Sequence, residues 1–87
     1  MLMEGFYITA HAHEEMNRRQ ISIDAVWACL KKPDQIIDSQ ESRVIYQSKI
    51  KSGEKYFLLR IIIEQQASPE RVITVYRTSK IEKYWKE

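Results

Sequence analysis

A chain of 87 residues can enclose one modest core, so a single domain over residues 1–87 is expected, with no separate regulatory module. Its 44% hydrophobic and 30% charged residues exclude a disordered tail, and a formal charge of +2 excludes the dense positive field of a DNA-coating protein. Cys29 is the single cysteine, which rules out an intrachain disulfide and a cysteine-based zinc site and fits a reducing compartment, so the cytoplasm is expected.

Met1 to Tyr7 has neither the basic nor the long apolar region of a secretory leader, and no later run nears the ~20 apolar residues of a membrane span. From Thr9 to about Gln20 there is no proline or glycine, and Thr9 can cap a helix that starts at Ala10. In that helix His11, Glu14, Glu15 and Arg18 share a polar face, while Ala12 and Met16 form the side expected to meet the core. Ser22 caps a second helix, whose Ile23, Val26, Trp27 and Leu30 keep helical spacing until Lys31, and Pro33 turns the chain out of it. Beyond Pro33 the period shortens toward two. Gln35 to Asp38, Arg43 to Ser48, Lys55 to Glu64 and Val72 to Arg77 read as strands, with turns at Lys51 to Glu54 and around Ser68-Pro69. Ser79-Lys80-Ile81-Glu82 has the spacing of a capping box, which predicts a short final helix. The expected architecture is α+β: an N-terminal αα-hairpin packed on one face of a three- or four-stranded antiparallel sheet, then a short C-terminal helix.

Arg60 is the one charge inside Tyr56 to Ile63, so it should either pair with a carboxylate or look from the open face toward an anionic ligand. Ile73 and Val75 suit the core, which turns Thr74 and Tyr76 outward beside Arg60 if the two strands are neighbours. Arg18, Arg19, Arg60, Arg77 and Lys80, together with Tyr76, can supply phosphate contacts and a stacking surface for RNA, or equally form a solvated basic surface.

His11 and His13 are two apart, not the four that puts two histidines on one side of a helix, so no metal site is expected; His13-Glu14-Glu15-Met16-Asn17 lacks the second histidine of a helical metalloprotease motif. One histidine as general acid or base is chemically reasonable, and one that faces water is as reasonable. Cys29, inside the second helix, reads as core, and with glycine only at positions 5 and 53 there is no phosphate-cradling loop and no cofactor motif. Trp27, Tyr84 and Trp85 read as core or partner-binding residues.

His11-Ala12, Met16, Arg19, Ile21-Ser22, the apolar helix ending near Pro33 and the late Val72-Ile73-Thr74-Val75-Tyr76 strand resemble a small bacterial domain-of-unknown-function family. That family is grouped by fold with RelE/ParE-type toxins and the wider barnase-like and colicin-like ribonucleases. Glu15 stands where the family often has a basic residue, and Gln20 where a glycine often closes the first helix. The resemblance implies a metal-independent endoribonuclease that cleaves RNA by 2′-hydroxyl attack, with no cofactor, as the toxin half of a toxin–antitoxin pair. On it, His11 is general base or acid, Arg60 and Arg77 stabilise the phosphate, Tyr76 stacks or donates a proton, and Arg18, Arg19 and Lys80 help hold RNA. Implied partners are RNA, free or on the ribosome, and a cognate antitoxin. The alternative is a noncatalytic module that binds RNA, the ribosome or a protein.

Overall fold

The computed structural model describes the chain from Met1 to Glu87. In chain order the elements are β1 (Leu2–Met3), β2 (Phe6–Ile8), α1 (Ala10–Arg18), α2 (Ile23–Lys31), β3 (Gln35–Asp38), β4 (Arg43–Ser52), β5 (Lys55–Glu64), β6 (Glu70–Thr78) and α3 (Ile81–Tyr84). The strands form one six-stranded sheet in the order β1-β2-β6-β5-β4-β3. Every neighbouring pair is antiparallel except β2 and β6, which run parallel.

This overturns the expected αα-hairpin on a three- or four-stranded antiparallel sheet, and the toxin-type arrangement that went with it. A β-hairpin precedes the helices, and its second strand makes the sheet mixed. The two helices do not form a self-contained hairpin: α1 lies against β6, while α2 lies against β4 and β5. The first hairpin leaves no signal in the sequence because its strands are two and three residues long, too short to show a period. Its Glu4-Gly5 turn, with φ of 31° and 90°, has the positive dihedrals of a type I′ turn without the Asn-Gly or Asp-Gly that usually marks one.

Local chemistry explains the helix ends. Thr9 and Ser22 sit in extended conformation and accept from the Ala12 and Ala25 N–H groups at 3.2 and 3.1 Å, which satisfies donors that a helix start leaves open. α1 closes in a Schellman motif. The Ile21 N–H donates to the Met16 carbonyl at 2.8 Å and the Gln20 N–H to the Asn17 carbonyl at 3.3 Å, with Gln20 left-handed at φ 55°. Met16 and Ile21 are both core residues, so the motif has its apolar contact as well. The capping box expected at Ser79 does not form: α3 starts from Lys80 without a side-chain cap, and Thr78 Oγ1 accepts from the Lys80 N–H instead.

Between the helices and the sheet lies a core built from Ile8, Ala12, Met16, Ile21, Val26, Cys29 and Leu30 against Val44, Leu59, Ile61, Ile63, Val72 and Val75. Leu59, Ile61 and Ile63 thus face the helices, and the alternation turns Leu58, Arg60 and Ile62 to the opposite face. In β6 the expectation for Ile73 fails. The register shifts between Ile62 and Ile63, which face Thr74 and Val72, so Ile73 is the extra residue of a bulge and Val72 takes the core position. No helix is long and apolar enough to cross a membrane.

Candidate functional site

Four side chains line up across the face of the sheet away from α1 and α2. Gln35 faces Gln47, Gln47 faces Arg60, and Arg60 faces Tyr76, so β3, β4, β5 and β6 each contribute one polar residue to a single row. Arg60 Nε donates to Gln47 Oε1 at 2.9 Å and Arg60 Nη1 donates to the Tyr76 hydroxyl at 2.6 Å. Gln47 Nε2 in turn donates to Gln35 Oε1 at 2.7 Å and to the Tyr84 carbonyl at 3.1 Å. Arg60 is 7% exposed and Gln47 fully buried.

The C-terminal segment closes over this row. The Arg60 guanidinium carbon lies 4.2 Å from the centroid of the Tyr84 ring, the Lys86 N–H donates to Gln35 Oε1 at 3.1 Å, and Gln35 Nε2 donates back to the Lys86 carbonyl. Lys49 Nζ sits 4.0 Å from the Trp85 ring centroid. Arg60 therefore takes neither course expected of it. It has no carboxylate partner and it does not look out to solvent; neutral oxygens and aromatic faces hold it.

A second cluster forms at the end of α1. Glu15, expected on the polar face of the helix, is 7% exposed. Its carboxylate accepts from Arg18 and lies 3.6 Å from both Arg19 Nη2 and His11 Nε2, so three basic side chains converge on it. That convergence is what allows a carboxylate to sit beside the core. The Arg19 guanidinium also stands 5.9 Å from the Tyr76 ring centroid, so Arg19 and Arg60 both approach this ring.

Arg77 projects from β6 to the helix side, opposite Leu59, with its guanidinium 4.8 Å from the Phe57 ring centroid. With Arg18, Arg19 and Gln20 it lines a concavity of about 430 Å³ that has no hydrophobic wall. Residues from the end of α1 and the end of β6 thus meet at one corner.

The residues singled out in the sequence accordingly divide into four places. Arg60 and Tyr76 touch; Arg18, Arg19 and Arg77 share the corner; His11 stands on α1 with its side chain 65% exposed and meets Glu15 rather than Arg60, Tyr76 or Arg77. Lys80 is exposed at the start of α3. Gln35 and Gln47 are not among the candidate residues of the sequence, and Tyr84, read there as core or partner-binding, packs on Arg60. The two-residue turn at Gly53-Glu54, with Gly53 at φ 63°, pairs Ser52 with Lys55, and counting back from it places Gln47 opposite Arg60. That count was the available signal.

Elsewhere, burial pushes the Cys29 thiol up to about 11, with a Ser48 hydrogen bond opposing and Asp34 reinforcing the shift, so at neutral pH it is a protonated core group. Burial and the nearby Glu70 raise Tyr46, whereas the Ser42 hydroxyl, the Gln66 N–H and Arg43 hold Glu64 below the usual carboxylate range. No three His, Cys, Asp or Glu side chains converge as metal ligands would.

Residues 8–77 match the family described as Domain of unknown function (DUF4258), and the chain belongs to that family. The match takes in α1, the arginine corner and the Arg60–Tyr76 pair, and stops short of the C-terminal segment that covers them. No curated protein and no solved structure matches the chain significantly.

Proposed function

We propose that this protein binds single-stranded RNA in the cytoplasm, free or on the ribosome, and grips its phosphates at the corner formed by Arg18, Arg19 and Arg77. The observation that carries this reading is that Arg18 and Arg19 at the end of α1 and Arg77 near the end of β6 line one concavity that no hydrophobic residue borders. Guanidinium matches phosphate oxygens in a two-point geometry and releases condensed counterions when it does so. Each lost phosphate contact lowers the slope of log K against log salt by about 0.7 for a single strand. Arg18→Ala and Arg77→Ala should each flatten that slope by about this amount. Slopes identical to wild type in both variants would remove the corner as the RNA site.

A second reading adds metal-independent cleavage by 2′-hydroxyl attack, with kinship to RelE/ParE-type toxins and a cognate antitoxin that covers the arginines. Tyr76 favours it. Its hydroxyl accepts from Arg60 and so keeps its own proton for donation, while Arg19 stands over the ring on the corner side. Arg19 and Arg77 would take the phosphorane charge, and His11 would enter through Glu15, which it shares with Arg19. Induced expression in bacteria distinguishes the readings: arrest with fragmented RNA for wild type and not for Tyr76→Phe supports cleavage, and intact RNA with soluble protein supports binding alone.

A further inference from the structure

Beside the arginine corner lies a second concavity of about 390 Å³, and the two share Gln20 and Arg77. Its character differs. Ile21, Ala25 and Ile50 supply apolar wall, while Ser22, Lys51 and Ser52 supply polar groups. The size falls within the ~300–1,000 Å³ of small-ligand sites, and an apolar surface edged by a few hydrogen-bonding groups is what a flat heteroaromatic ring requires. Both concavities hinge on Arg77, whose guanidinium is steadied over the Phe57 ring.

Resting on the RNA reading above, we infer that this second concavity receives one nucleobase of the bound strand, splayed out next to the phosphate held by Arg18, Arg19 and Arg77. Single-stranded RNA is recognised in this way, with bases unstacked and read on their edges while cations hold the backbone. Ile50 and Ala25 would cover the ring faces. The hydroxyls of Ser22 and Ser52, the Lys51 ammonium and the Gln20 amide can address ring nitrogens and exocyclic groups. Ser22 Oγ already accepts from the Ala25 N–H, which leaves its proton and one lone pair for a base. Gln20 reaches this position because it occupies the left-handed residue of the α1 Schellman motif, a place that glycine would fill without a side chain.

The test uses two short 2′-O-methyl oligomers of equal length, which cannot be cleaved by 2′-hydroxyl attack: one of mixed sequence, the other a sugar-phosphate chain without bases. Binding of the full-length protein is read by fluorescence anisotropy. Wild type should bind the base-bearing oligomer about tenfold more tightly than the abasic one. Ser52→Trp and Ala25→Leu, which fill the concavity, should bring the base-bearing oligomer down to the abasic affinity and leave the abasic affinity unchanged. Equal binding of both oligomers by wild type overturns the nucleobase site while the phosphate corner stands, and this comparison needs no variant to fold. Binding of neither oligomer overturns the RNA reading and the inference together. Preference for bases that survives both filling variants, each folded by circular dichroism, places the base elsewhere and also overturns the inference.

Discussion

Gln47 and Arg60 face each other across β4 and β5, and the buried guanidinium donates to a neutral amide oxygen 2.9 Å away where a carboxylate would be the common partner. Tyr76 on one side and Tyr84 on the other complete the enclosure. This makes Arg60 a fastener between the sheet and the C-terminal segment, since Gln47 also holds the Tyr84 carbonyl.

Arg60→Ala is therefore expected to destabilise the fold by about 2–4 kcal/mol, because it leaves Gln47 Oε1 and the Tyr76 hydroxyl without their donor and removes the surface on which Tyr84 packs. Urea denaturation measures this, and Tyr84→Ala should lose a smaller part of the same stability. A fall below about 0.5 kcal/mol for Arg60→Ala would show that the network contributes nothing net. Activity lost in an Arg60 variant has to be read beside its folded fraction.

Gln20 carries a different liability. Its φ of 55° is left-handed, the conformation that glycine adopts freely at a helix end. Gln20→Gly should raise stability by up to about 1 kcal/mol, less whatever the more flexible unfolded chain takes back. If its amide also reads a nucleobase, the same variant should bind RNA more weakly while melting later. A variant that melts earlier would mean that the Gln20 side chain supplies more to the folded state than its backbone strain removes.

These two residues also show what the sequence could and could not reveal. Caps, periods and turns are local, so Thr9, Ser22 and the alternation of β5 were legible, and with the alternation came the neighbourhood of Arg60 and Tyr76. Gln20 was marked as a place where glycine often stands, and the left-handed backbone accounts for that. Strand partners distant in sequence were not legible. The parallel pairing of β2 with β6 depends on Phe6 to Ile8 meeting Glu70 to Val72, and nothing in either triplet announces it. Polar burial was hidden for a related reason: Glu15 and Gln47 look like surface residues until the partners that satisfy them are in place.

Cys29 provides a pH test. Its folded value is raised from 9.0 to about 11, so the native state binds the thiol proton more tightly than the unfolded state does. The stabilisation is complete below pH 9.0 and is lost as pH rises through about 11. Across that window the stability of wild type relative to Cys29→Ala should fall by about 2–3 kcal/mol. A difference that stays flat with pH would show that the thiol ionises as readily in the fold as in the unfolded chain.

Glu15 bears most directly on RNA. Its carboxylate engages Arg18, Arg19 and His11, so it competes with phosphate for two of the three arginines at the corner. Glu15→Gln keeps the shape, removes the charge and frees those guanidiniums, at some loss of stability because the nearly buried Glu15 side chain gives up its ion pairs with more exposed partners. RNA affinity at low salt should rise severalfold, and the salt dependence should steepen as more counterions are released on binding. Titrations at several salt concentrations on protein shown to be folded decide the matter. Weaker binding by Glu15→Gln would reverse the assignment, with Glu15 then holding Arg18 and Arg19 in the pose that RNA requires.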